Sequence, residues 1–223
     1  MIDQLTELCK EKFKGELEGV LTLANFSCWI FFIVSWHIFH ALDEISLIKG
    51  LSKVKISELL DYSSGILSSF SILELLASFL FVYSISWLSR EFSEGLFYLF
   101  SLRDDFDDHM IESNKILLQL KKKNPMTMYF LGKEAEGKLS ENRALYSRRR
   151  TTSQITLGAS ACSALGLNLA TSNILVFVLF FSLFVIITWR GFYFYLENIL
   201  PYYIAQKYST GDFAAFDEGI ESS

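Results

Sequence analysis

Three long stretches of this chain are almost free of acidic and basic side chains: residues 19–42, residues 62–89 with Glu74 as the exception, and residues 151–189. A helix rises about 1.5 Å per residue and a bilayer's hydrocarbon core is about 30 Å thick, so about 20 apolar residues suffice to cross it. The pattern predicts a first span over roughly Gly19 to Phe39 and a second over roughly Gly65 to Leu88. The third stretch, 39 residues from Thr151 to Trp189, would make a helix of about 58 Å, too long for one crossing. A turn at Asn168 to Asn173 (NLATSN) divides it into a span from Gln154 to about Leu167 and another from Ile174 to about Tyr195. The expectation is an all-α polytopic membrane protein of four transmembrane helices, with a cytoplasmic helical hairpin between spans two and three.

The segments between the spans are amphipathic. In residues 1–18, Leu5, Cys9, Phe13 and Leu17 recur every four residues opposite a charged face, as in a helix lying on the inner membrane surface. The loop 40–64 (DEISLIKGLSKVKISELLD within it) has the same character and is placed on the outer leaflet. Residues 90–150 are broken by Asn124-Pro125, where proline interrupts a helix. Leu99, Phe106, Met110, Leu117 and Leu120 make an apolar stripe before the break, and Met128, Leu131, Ala135, Leu139 and Leu145 make one after it. Two such stripes predict an antiparallel hairpin projecting from spans two and three. After spans three and four, residues 151–196, the chain closes with a tail, residues 197–223, ending in acidic DFAAFDEGIESS.

Charge sets the orientation. Lys10, Lys12 and Lys14 precede span one, Lys49, Lys53 and Lys55 lie between spans one and two, twelve Lys and Arg lie between spans two and three, and Arg190 and Lys207 follow. With both termini inside, seventeen basic residues are cytoplasmic and three are outside, as the positive-inside rule requires. The compartment that this suggests is a bacterial inner membrane. Composition agrees: 51% of the 223 residues are hydrophobic, 16% are aromatic and only two are proline. The formal charge of −5 gives no broad cationic face, so nucleic acid is not expected as a direct partner. Cys9, Cys28 and Cys162 are an odd set, for which neither a disulfide nor a cysteine metal site is expected. The first apolar run begins only behind a charged segment, so span one is read as retained and not as a signal peptide.

Chemistry is concentrated in few places. Glu74 falls near the middle of the expected second span and lines up with Ser64, Ser68, Ser71 and Ser78 as an intramembrane polar stripe. Such a stripe faces protein or water. Its readings are a protonated carboxyl hydrogen-bonded across a helix interface, the lining of a proton or cation path, and an ion pair with a partner that the sequence does not identify. Gly158, Cys162 and Gly166 recur every four residues in span three, where small residues let helix backbones approach. They are the expected helix-packing surface, both toward span two and in a homo-oligomer. Span four, bulky and apolar, is assigned to lipid. His37, His40 and Glu44 share a face at the end of span one; a pH or metal role competes there with plain interfacial residues beside Trp36. In the hairpin, Asp104, Asp105, Asp107 and Asp108 crowd one turn, as a surface for a basic protein partner or a divalent cation, or as charges facing the basic return helix. Phe213 and Phe216 in the acidic tail make a second candidate partner contact. Arg148, Arg149 and Arg150 anchor topology and meet anionic lipid headgroups. No nucleophile elbow, phosphate-cradling glycine loop, zinc-protease helix or paired-cysteine motif is present, so no enzyme, cofactor or metal centre is expected.

In layout the chain resembles two groups. One is the flagellar-motor type of stator and energy-transducing proton channels, which share the order of spans and the helical insertion, although the proline-containing pore motif of their third span is lacking here. The other is the four-span membrane subunit of the Kiwa antiphage system, similar in size and span number over the whole chain, which implies a membrane sensor working with a soluble partner in antiphage defence. The favoured expectation is a homo-oligomeric membrane sensor or anchor that recruits a soluble cytoplasmic protein. The alternative is an ion or proton channel using the Glu74 stripe.

Overall fold

The structure, a computed structural model, describes Phe13 and residues 23–42, 44–61, 65–101, 125–167 and 169–210. Helices follow in the order α1 (Leu23–His40), α2 (Leu47–Leu51), α3 (Ile56–Leu60), a 3₁₀ turn (Ile66–Ser69), α4 (Ile72–Ser101), α5 (Pro125–Ala164), α6 (Thr171–Asn198) and α7 (Leu200–Thr210). No strand occurs among the described residues. Three segments are long and apolar enough to cross a membrane: α1, α4 over Ile72–Leu99, and α6 continued through α7 over Thr171–Gln206. Large side chains such as Leu23, Phe26, Leu73, Leu80, Leu175 and Leu179 are exposed along them. So much apolar surface is stable against lipid and unstable against water.

Several element ends differ from the sequence pattern. The second span was expected from Gly65, but α4 begins only at Ile72. Ser71 and Glu74 explain the start, because they form an S-x-x-E capping box. The Ser71 N–H and Oγ–H both donate to Glu74 Oε2 at 2.8 Å, and the Glu74 N–H donates back to Ser71 Oγ at 3.3 Å. α5 opens on Pro125, whose missing N–H is harmless in the first turn. It then runs 40 residues without interruption, so the return arm and the expected third span are one helix. That helix stops at Ala164, and a turn follows through Leu167, three residues before the expected end.

The chain forms two compact units. One holds α1, α2, α3, α4 as far as Glu91, and residues 150–188 of α5 and α6. Within it the end of α5 is the buried element. Ser153, Gln154, Thr156, Leu157, Ser160, Cys162 and Ser163 are all buried. The hydroxyls lower the hydropathy of residues 151–164, and their bonds explain how they are tolerated. Ser153 Oγ bonds Thr188 Oγ1, Gln154 Nε2 donates to Asn25 Oδ1, and Ser160 Oγ donates to the Phe177 carbonyl at 3.3 Å. A helix enclosed by others can carry such groups once they are paired.

The other unit holds Phe13, α4 from Phe92, α5 as far as Arg149, and the chain from Trp189. Its centre is aromatic: the Phe13 ring lies 5.4 Å from Phe97, 6.0 Å from Phe192 and 4.8 Å from Tyr195. The buried stripe of α5 here is Gly132, Ala135, Leu139 and Tyr146. Ala135 and Leu139 were expected in it, whereas Leu145 is exposed and the bulkier Tyr146, one position on, takes the inward face. Likewise Leu99 is exposed while Leu96 and Phe97 are buried. Phe106, Met110, Leu117 and Leu120, the rest of that stripe, lie outside the described residues, as do Leu5, Cys9 and Leu17.

Candidate functional site

Glu74 is the natural starting point. Because the capping box sets the helix start, the carboxylate sits in the first turn of α4 and not halfway along a span. The serine stripe is correspondingly broken. Ser68 lies in the 3₁₀ turn, where its hydroxyl donates to the Gly65 carbonyl at 2.7 Å, and Ser71 is the residue before α4. Ser64 lies outside the described residues. Only Glu74 and Ser78 of the five share helical register in α4.

Those two are joined to α1. Trp36 Nε1 donates to Glu74 Oε1 at 2.9 Å, and Trp29 Nε1 donates to Ser78 Oγ at 2.9 Å. Ser78 is fully buried and passes its own proton to the Leu75 carbonyl at 2.6 Å. Glu74 therefore crosses a helix interface, and its partner is span one, not the small-residue span expected from sequence. Both of its oxygens accept, from an indole, a backbone N–H and a hydroxyl, so none of these bonds uses a carboxyl proton. Ring packing braces the pair. Trp29 stacks with Phe79 at 6.1 Å and Phe32 meets Phe81 at 4.8 Å.

Of His37, His40 and Glu44, the last two are engaged elsewhere, while His37 Nδ1 is buried with no hydrogen-bond partner among the described residues. The His40 ring stacks on Trp36 with centroids 3.9 Å apart, and its Nδ1 lies 3.1 Å from the Trp36 carbonyl, which can only accept, so Nδ1 carries the proton. Glu44 pairs with Lys53. Among the described residues no group of three His, Cys, Asp or Glu could hold a metal ion.

The small-residue ladder is used within the chain. A Cβ at Gly158 would collide with Cys28 Sγ of α1, and one at Gly166 would come within 2.6 Å of Asn173 Nδ2 and 2.7 Å of a Phe39 ring carbon. Cys162 is buried, and Cys28 and Cys162 are both free thiols. Glycines already filled by α1 leave the homo-oligomer without the surface assigned to it. Arg149 stacks over Phe194 at 4.2 Å and donates to the Arg190 carbonyl at 3.3 Å, so part of its guanidinium meets protein. Arg148 is exposed and Arg150 half-buried. Asp104, Asp105, Asp107 and Asp108 lie outside the described residues, as do Phe213 and Phe216.

Sequence reasoning missed a third polar node. Asn173, completely buried near the start of α6, accepts from the Leu47 N–H at 3.0 Å and donates to the carbonyls of Ile45 at 2.8 Å and Gly166 at 2.7 Å. Ser46 and Ser172 bond beside it at 3.0 Å. The sequence marked this asparagine only as a turn residue. No protein-family model, curated protein or solved structure matches the chain.

Proposed function

We propose that this chain is a four-span membrane sensor or anchor subunit, with both ends on the cytoplasmic side, that holds a soluble protein partner through its cytoplasmic helices and tail. The carrying observation is the contrast along α5. From Lys133 to Arg148 its outward positions Lys133, Glu134, Glu136, Lys138, Glu141 and Arg148 are charged and exposed. From Thr151 to Ala164 it has no charge and is mostly buried. One end is built for water and protein, the other for the interior of a membrane bundle. Reading residues 151–167 as the remaining span accounts for the paired hydroxyls, with exposed Leu165 beyond the end of the helix.

The homo-oligomer is not part of this proposal, since the glycines that motivated it are occupied. The channel reading loses support too, because Glu74 and Ser78 are committed to indole donors and the rest of the stripe precedes α4. Layout likeness to the Kiwa membrane subunit extends the proposal to a sensor in antiphage defence. Two measurements test it. Purification of the full chain in mild detergent should recover one soluble protein, and recovery should fall when Phe213 and Phe216 are changed to Ala. Proton flux through liposomes should be absent; robust flux lost equally in Glu74→Gln and Glu74→Leu would overturn the anchor in favour of the channel.

A further inference from the structure

The link between α1 and α4, residues 41–71, connects two segments able to cross a membrane, so it must lie at one face of the bilayer. Its fold is fixed from one side. Leu47 packs in a cluster with Val34, Ile38 and Phe39, and Gly50 lies so close to Ile38 that a Cβ there would collide with it. Asn173 holds the Ile45 carbonyl and the Leu47 N–H. At about 1.5 Å per residue, Ile38 and Val34 lie about 3 and 9 Å along the axis from the end of α1 at His40. α2 is therefore drawn down beside the last turns of α1. The headgroup layer is about 5 to 8 Å deep on each side of the hydrocarbon, so this is its depth.

With Leu47 and Gly50 inward, the opposite face of α2 looks away from the protein. In the link Ile45, before α2, and Ile48 within it are each 57% exposed, Leu51 at its end is 51% and Ile56, at the start of α3, 77%. Exposed Lys49, Lys53 and Lys55 lie among them. Among the described residues of the link, Glu44 pairs with Lys53 and Glu58 accepts from the Lys55 N–H at 3.2 Å. What remains outward is apolar side chain ringed by ammonium groups, the complement of acyl chain capped by phosphate. We propose that residues 45–56 are an interfacial phospholipid-binding element, with Ile45, Ile48 and Leu51 in the acyl boundary and Lys49 and Lys55 on lipid phosphates. The inference rests on the reading of α1 and α4 as spans.

The test uses the full chain carrying Cys9→Ser, in vesicles of phosphatidylcholine with a minor fraction of phosphatidylglycerol. Single nitroxide labels replace Ile48, Leu51, Leu179 or Lys133, and collisions with oxygen, enriched in lipid, are compared with those of a water-soluble nickel chelate. At Ile48 and Leu51 the oxygen-to-nickel ratio should be several-fold that at Lys133 and approach that at Leu179. Adding Lys49→Glu and Lys55→Glu should lower the ratio at Ile48. Nickel access at Ile48 and Leu51 with Leu179 still in lipid would overturn this inference alone. Nickel access at Leu179 as well would show that the chain is not inserted, and would remove the reading of α1 and α4 as spans with it. Shielding of Ile48 and Leu51 from both reagents would mean that protein, a second copy or an outer partner, covers the face, which also overturns it.

Discussion

Asn173 carries three hydrogen bonds in a completely buried position, and all three run to backbone groups that no other described side chain is seen to satisfy. Replacing it with Leu keeps the bulk and strips the Ile45 carbonyl of its donor and the Leu47 N–H of its acceptor, whereas the Gly166 carbonyl keeps the Leu169 N–H at 3.0 Å. A buried polar group left unmet costs about 1–3 kcal/mol, and at this chain length each kcal/mol moves a melting temperature by about 2–4 °C. Asn173→Leu should lower the melting temperature in detergent by about 4–8 °C, while Ser84→Ala, which removes an exposed bond to the Leu80 carbonyl, should hardly change it. Equal melting of the two variants would mean that water replaces the amide. The bonds of Asn173 to the Ile45 carbonyl and the Leu47 N–H were not legible in the sequence, because those partners lie 128 and 126 positions away. The Ser71–Glu74 cap was legible in principle. Four residues of local chemistry fix a helix start there, inside an uncharged run whose hydropathy alone suggests an unbroken span.

At the scale of elements, α1, α4 and α6 were all visible as apolar runs, since hydropathy follows what faces lipid. α5 was legible only in pieces, because its uncharged half, residues 151–164, is mostly buried against other helices. Its close approach to α1 depends on Gly158 meeting Cys28, a contact that can be tested by rescue. Gly158→Ala puts a methyl group into Cys28 Sγ, and overpacking of this kind costs about 1–3 kcal/mol. Cys28→Ala removes the sulfur and opens the space. Gly158→Ala should therefore destabilise the otherwise unchanged chain and cost clearly less in a Cys28→Ala background, as read from thermal unfolding in one detergent. A full and equal cost in both backgrounds would show that the two helices do not meet at this pair.

At the scale of the molecule the open quantity is a parity. If residues 151–167 cross the bilayer, the turn before α6 is outside and Lys207 returns to the side of Lys133; if they do not, the turn stays with Lys133 and α6 carries Lys207 across. Length argues against crossing, since the helix from Thr151 to its end at Ala164 makes about 21 Å against a core of about 30 Å. Charge argues for it. Arg148, Arg149 and Arg150 precede the segment, residues 165–170 carry no charge, and Arg190 follows within α6, so crossing keeps every one of these arginines inside. Moving α6 the other way would export Arg190 and Lys207 for no gain. The shortfall of about 9 Å is bearable, because mismatch costs only fractions of a kcal/mol per ångström and exposed Leu165 and Leu169 extend the apolar surface into the turn. Single cysteines at Lys53, Lys133, Leu169 and Lys207, in a Cys9→Ser chain whose Cys28 and Cys162 are buried, settle the matter with an impermeant maleimide applied to intact cells. Lys53 and Leu169 should label from outside and Lys133 and Lys207 only after lysis. Labelling of Lys207 from outside with Leu169 protected would reduce the protein to three spans and move its tail away from any cytoplasmic partner.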